Sequence, residues 1–564
     1  MFRKSFSLFL ATVLALGILA GCTSKKEADK PADTNPVPKK ERVIRYNAGA
    51  DFRSLDPALM TDLTSFDAEN GLFEGLVRVG PKGNEPGMAS KWEEKDGGTK
   101  YVFTLRDGAK WSNGDPVTAD DFVFAWTRAL DPRTGSEYAY QLYYIKGGEA
   151  LNSIKTKIKG TDGKEIDNAN FQKEFDAAVK GLGVKALAAN SLEVTLEAPT
   201  PYFVALTAFP TLHPVNKKVV SANKDWATKA ESYVSNGPFK LAKWEAKKEA
   251  VLEKNANYWD ATNVKVDKIV LYMVEEQATA LNMWETDQVD MIDSPPPAEL
   301  SRLKKENKLK VQPNYGTYFY NFNTKVKPFD NAKVRKALAM AIDRKAIVEN
   351  VTRGGQLPAY AFVAPGSPDA DGTSDFRKVG GETLIKEDVA EAKRLLAEAG
   401  YPDGKGFPAA TFLYNTNETH KAVGEAVIEM WKKNLGITSI TMQNTEWKVV
   451  LDKRHKGDYQ IARAGWFGDY LDAMTFMDMW VTKGGNNDVF YSNKDYDKLI
   501  DTAKKSADQK VRMDSMHKAE KILMDEMPIM PIYYYVGLYL QKDNITGVYR
   551  NALGIKDFKN AEVK

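Results

Sequence analysis

Many residues in this 564-residue chain could do chemistry, but few stand at reactive spacings. The four histidines, His213, His420, His455 and His517, include no pair placed to share a metal on one helix face, and H-E-x-x-H is absent. The single cysteine, Cys22, excludes a disulfide framework and any thiolate cluster, so neither a metal nor a cofactor is expected. S-x-x-K matches such as Ser221-Ala-Asn-Lys224 and Ser301-Arg-Leu-Lys304 could each pair a serine nucleophile with a lysine base. Neither is accompanied by S-D-N or K-T-G, so exposed surface residues are the simpler expectation. G-x-S-x-G, G-x-x-x-x-G-K-[ST] and G-x-G-x-x-G do not occur. The chain reads as a binder without catalytic residues, not as an enzyme.

What remains is aromatic surface beside fixed charge. The 11 Trp, 25 Tyr and 25 Phe offer large, rigid contact area at little entropic cost, although any one ring could equally fill the core. They are densest in Arg463-Ala-Gly-Trp-Phe-Gly-Asp-Tyr470. There Gly465 and Gly468 allow close backbone approach, Trp466 and Phe467 supply apolar walls, and Asp469 supplies a negative charge for a cationic ligand end. The alternative for Asp469 is a local side-chain turn after Gly468.

A folded body must position such a block. Hydrophobic residues at 43% and charged residues at 27% are globular values, and the length allows three or four domains at about 150 residues each. A net charge of +3 is too balanced for a chain that grips nucleic acid. The first forty residues differ. Arg3 and Lys4 precede an apolar run from Phe6 to Ala20 that ends Leu19-Ala-Gly-Cys22, a secretory signal whose small residues match a bacterial lipobox. Diacylated Cys22 would anchor the chain to the extracytoplasmic face of the cell membrane, and polar residues 23–42 would form a tether. The length of that tether leans towards a Gram-positive surface, with a periplasmic position if Gram-negative.

Beyond the tether the pattern is mixed α/β. Period-two alternation predicts strands over 100–105 and 191–196. A capping box from Thr118 to Asp121 predicts a helix carrying Phe122, Ala125, Trp126 and Ala129. Further helix stripes are Val334, Leu338, Ala341 and Ile342; Val389, Ala392, Leu395 and Leu396 before Gly400; and Val423, Val427, Met430 and Trp431 before Gly436.

Further motifs stand along the body: Ser54-Leu-Asp-Pro57, Leu72-Phe-Glu-Gly-Leu76, the segment 105–122, Ser235-Asn-Gly-Pro-Phe239, Tyr320-Asn-Phe-Asn-Thr324, Val334-Arg-Lys-Ala-Leu338 and Glu446-Trp447. With the 463–470 block, they make residues 43 to about 560 resemble the extracytoplasmic peptide-binding lipoproteins of ABC importers, family 5 solute-binding proteins, which include the oligopeptide and dipeptide receptors. Together with Pro531-Ile-Tyr-Tyr-Tyr535, that block looks most like the oligopeptide branch.

The resemblance implies an α/β, bilobal periplasmic-binding-protein-like fold with an extra domain inserted in lobe one. Its organisation would be signal peptide 1–21, lipid-anchored tether 22–42, lobe one from 43–90, 213–310 and 537–564, inserted domain 91–212 and lobe two 311–536. The hinge would lie near Tyr315–Tyr320 and Tyr534–Leu538. A monomer would capture an oligopeptide between closing lobes and deliver it to an ABC permease and, through it, to ATPase subunits. Asp469 would pair with the peptide ammonium, Gly465-Trp466-Phe467 would add the ligand as a β-strand, and the segment near Leu63 would flank its other side. Arg463 and His420 resemble positions that meet the peptide carboxylate, and Trp447, Trp466 and Tyr138 resemble pocket walls. For Arg463 the alternative is an internal salt bridge, and for His420 a helix-capping or surface role. Thr61 departs from the acidic residue some relatives carry beside the ligand.

Overall fold

The computed structural model describes residues 41–159 and 164–564. The expected signal peptide, Cys22 and almost all of the tether lie outside them. Arg42 begins the compact unit Arg42–Lys564, and its guanidinium pairs with Asp267 at 2.8 Å.

An eleven-stranded mixed sheet organises the unit. One end consists of Phe239–Glu245, Glu249–Lys254, Lys268–Tyr272, Val43–Asn47 and Met291–Asp293, in that order. The other end consists of Ile461–Phe467, Ala410–Asn415 and Ile440–Thr445. Two long antiparallel strands, Ile529–Gln541 and Lys310–Phe322, join them. These run through the middle of the sheet, covered on both faces, which is why Ile529-Met-Pro-Ile-Tyr-Tyr-Tyr reads as a continuous apolar run without alternation. Their pairing is interrupted between Pro313/Val536 and Thr317/Tyr534, so the first sheet end hangs on residues 539–541 and the second on residues 316–322. Pro531, which cannot donate to a ladder, sits at a second register shift, between Tyr318/Tyr533 and Phe319/Pro531.

A separate antiparallel sheet orders Ala89–Lys95, Lys100–Leu105, Ser191–Thr195 and Val184–Ala188, with the helix Ala119–Leu130 packed beside it. That helix opens with the capping box expected of Thr118 and Asp121: the Asp121 carboxylate accepts from the Thr118 N–H at 2.9 Å. The helices Val389–Glu398 and Glu418–Leu435 also form as their stripes predict, and the second closes on Gly436 in the left-handed region, φ 72°. One stripe runs too far: the helix Ala332–Met340 stops before Ala341 and Ile342, which are buried in the turn that follows.

Candidate functional site

Two neighbouring cavities, of about 330 and 170 Å³, share Leu63, Thr64, Trp447, Arg463, Phe467 and Tyr535 as common walls. Every sequence-predicted ligand-binding residue lines one or both. Asp469, Gly465, Trp466 and Tyr138 face the smaller cavity, His420 faces the larger, and Arg463, Phe467, Trp447 and Leu63 stand between. Ser221, Lys224, Ser301 and Lys304 line neither cavity and are exposed.

The strand Ile461–Phe467 is the spine of the site. One edge pairs with residues 316–322, while the other pairs with Phe412 and Leu413 only as far as Ala462. From Arg463 to Phe467 that second edge has no strand partner among the described residues, so its backbone groups are available to an added strand. The two glycines serve another purpose than close approach by a ligand. A Cβ on Gly465 would overlap the Tyr535 hydroxyl, and one on Gly468 would overlap the Tyr315 ring, so both make room for the protein's own tyrosines.

Past the strand end, Asp469 is 9% exposed and accepts from Gln141 Nε2 at 2.8 Å and, more weakly, from the Tyr138 hydroxyl at 3.5 Å. Its own N–H donates to Thr475 Oγ1, and no lysine, arginine or histidine pairs with its carboxylate among the described residues. Burial, then the nearby Asp478, pushes this carboxyl well above the usual carboxylate range. The alternative of a purely local side-chain turn is not what the geometry shows, because both oxygens reach residues more than three hundred positions away. Tyr138 stacks on Trp466 with centroids 6.1 Å apart, closing the apolar side of this chamber.

Arg463 is the opposite charge. Its Nη2 donates to the Tyr535 hydroxyl at 2.7 Å, its guanidinium lies 5.0 Å from the Tyr318 ring and 5.6 Å from Trp447, and Nε has no partner. No carboxylate pairs with it among the described residues, so an internal salt bridge is absent there. The other histidines each lie within 4.0 Å of a carboxylate: His213 with Glu69, His455 with Glu137 and Asp488, His517 with Asp369. His420 has none. Burial, then Arg463, pushes its imidazole well below its ordinary value, and Nδ1 is buried without a partner.

Thr61 accepts from Arg53 Nη1 at 2.5 Å, and Arg53 also pairs with Glu137 at 2.7 Å. Both Glu137 and Asp488 line this chamber, so acidic groups reach it from elements other than the Thr61 segment. Sequence reasoning missed Tyr535, Leu451 and Arg454 as lining residues, and Gln141 as the partner of Asp469. Leu451 and Arg454 follow Trp447 by four and seven positions on the helix Trp447–Lys456, a same-face spacing that would have found them.

The profile of bacterial extracellular solute-binding proteins, family 5 (middle region), matches residues 84–488. The oligopeptide-binding protein OppA of Bacillus subtilis strain 168 is 42% identical over 538 residues, covering 93% of each chain. The crystal structure of Haemophilus influenzae OppA in complex with RPPGFSPFR superposes with a TM-score of 0.82 at 33% identity, covering 93% of this chain and 99% of that one. The unliganded open form of the murein tripeptide-binding protein MppA, at 32% identity over 93% and 98% of the chains, gives only 0.58. The arrangement described here is therefore nearer that of the peptide complex than that of the open form.

Proposed function

This chain belongs to family 5 of the bacterial extracellular solute-binding proteins, and from that premise we propose that it captures oligopeptides between two closing lobes for delivery to an ABC permease. Its α/β fold is the bilobal binding-protein fold with an inserted domain. One observation carries the peptide reading. A single segment bears a buried carboxylate and a buried guanidinium, both without an internal counter-ion, separated by an unpaired strand edge. A peptide supplies the complement of all three: an ammonium for Asp469, a backbone for the edge and a carboxylate for Arg463 and His420. Six residues of extended chain reach at most about 20 Å, the span of a short oligopeptide. Leu63 would flank the ligand opposite the strand, and Trp447, Trp466, Phe467 and Tyr138 would wall its side chains.

Lobe one takes 43–90, 213–310 and 537–564, the inserted domain 91–212 and lobe two 311–536 in this reading. The break in pairing between Pro313 and Thr317 supports a hinge there. The signal sequence and lipobox support export and anchoring through Cys22 to the extracytoplasmic membrane face. Incorporation of labelled palmitate that Cys22→Ser does not abolish would refute the anchor.

The binding experiment uses the chain from Thr23 onward, which retains the compact unit Arg42–Lys564, after unfolding and refolding to strip bound cargo. Tri- to pentapeptides with free or acetylated amino ends are titrated by calorimetry. Free-amine peptides are expected to bind, with acetylation or Asp469→Ala removing most of the affinity. Equal binding of acetylated peptides would refute the ammonium site, and binding of no peptide would refute the substrate class.

A further inference from the structure

Several helices that face the cleft have N-termini only partly served by their own lobe. The helix Gln277–Glu285 begins at Glu276, which makes no side-chain cap. The helix Trp447–Lys456 begins at Glu446, which likewise makes none. The first N–H groups of a helix have no intrahelical partner, and leaving them buried and unmade is costly.

The partners come from across the cleft. Glu418, the first residue of the helix Glu418–Leu435, accepts from the backbone N–H groups of Gln277 at 2.8 Å and Ala278 at 2.9 Å. In return Gln277 Oε1 accepts from the Thr419 N–H at 3.0 Å and the Thr419 hydroxyl at 3.1 Å. The Gln277 amide is held in place because its Nε2 donates to the Ser294 carbonyl. The Glu275 carboxyl lies close to the Trp447 backbone N–H, at the start of a third helix. Residues 275–277 follow the strand Lys268–Tyr272 at one end of the sheet, while 418–419 and 447 follow strands at the other end. Glu275, Gln277, Thr419, His420 and Trp447 all line the larger cavity.

We propose that Gln277 and Glu418 are positioning residues that couple lobe closure to assembly of the ligand cavity, each capping a helix of the opposite lobe. The proposal rests on the lobe assignment above. Separating the lobes replaces every one of these bonds by water, so the caps favour only the closed state, and a differential contact of that kind shifts an open–closed equilibrium. The ionised Glu418 carboxylate gains further from the positive end of the helix it caps. His420 and Trp447 lie within the first turn of their helices, so the bonds that close the lobes also set the walls that meet the peptide.

The test attaches a dye pair through Lys240→Cys and Lys433→Cys, both exposed and on opposite lobes in this reading, in the chain from Thr23 onward. Single-molecule distances and stopped-flow release of trialanine are measured for wild type, Glu418→Ala, Gln277→Ala, the double variant and Glu418→Gln. With caps worth roughly tenfold each, release speeds up about tenfold in each single variant, and association changes little. The double variant releases faster than either single one, because Gln277→Ala leaves the backbone N–H groups that Glu418 caps, and Glu418→Gln falls between Glu418→Ala and wild type. The minor closed population of the ligand-free protein drops in parallel, so the caps are tested whether or not trialanine binds. Asn417→Ala removes a cap made within one lobe, Asn417 Oδ1 to the His420 N–H at 3.0 Å, and lowers the ligand-free melting temperature. The cross-lobe variants leave that temperature unchanged. Unaltered release and unaltered closed population in the double variant would overturn the proposal, as would melting losses equal to those of Asn417→Ala.

Discussion

Two buried groups of charge line the same cleft and are built on opposite rules. In the first, Lys556 Nζ pairs with Asp67 at 2.7 Å and Asp293 at 2.8 Å, Arg550 pairs with Asp293 at 2.7 Å, and the Tyr46 hydroxyl donates to Asp293 at 2.9 Å. Two acids meet two bases. In the second, Asp469 and Arg463 are as deeply buried, yet their only polar partners are neutral. The carboxyl groups report the difference. Burial alone would raise Asp293, but Arg550 and Lys556 outweigh it and hold the group at about 2. Burial and then Asp478 raise Asp469, and its neutral neighbours Thr475, Gln141 and Tyr138 offset only part of that rise. A charge neutralised within the chain supports the fold, whereas a charge left uncompensated favours whatever ligand supplies its counter-ion.

The largest effect that tests this contrast is on stability. Lys556→Met leaves Asp67 without a cation and Asp293 with Arg550 alone, and denaturant unfolding of the ligand-free protein is expected to show a loss of about 3–5 kcal/mol. A loss below 1 kcal/mol would erase the distinction from the paired side. The second effect is on affinity. Asp469→Ala strands no charged partner, only the Gln141 amide N–H, so unfolding free energy is expected to fall far less than in Lys556→Met, while affinity for a free-amine peptide falls by about 2–5 kcal/mol. If stability falls by as much as affinity, Asp469 belongs with the structural cluster.

The smallest effect is on pH dependence. The Asp469 carboxyl is raised without ligand, and a bound ammonium lowers it, so the bound state holds fewer protons. Affinity is therefore full above the raised value and is lost as pH falls through it towards the bound-state value. Calorimetry from pH 8 downwards should show that decline for wild type and a flat profile for Asp469→Asn. A flat wild-type profile would mean that the ligand does not compete with that proton.

Much of this was legible along the chain because the signals are local. The strand Lys100–Leu105 follows its period-two pattern, and Thr118 and Asp121 cap their helix as spaced. The 463–470 block placed an anion, a cation and apolar walls on one segment, and all nine predicted site residues line the two cavities. The glycines were misread in purpose, since nothing in the sequence says that Tyr535 and Tyr315 fill the space beside them. The end of the helix at Met340 was also misplaced, because Ala341 and Ile342 continue the apolar stripe although the backbone has turned.

The sequence by itself determined which segments could be strands, which could be helices, and that Arg463 and Asp469 sit a few extended residues apart. It also carried the resemblance to peptide receptors, because those motifs are contiguous. Only the tertiary structure decided that these two charges lack a counter-ion among the described residues, that Lys556 and Asp293 are paired, and that Gln277 and Glu418 cap each other's helices. Pairing depends on groups hundreds of positions apart meeting within about 3 Å, and neither periodicity nor propensity encodes that meeting.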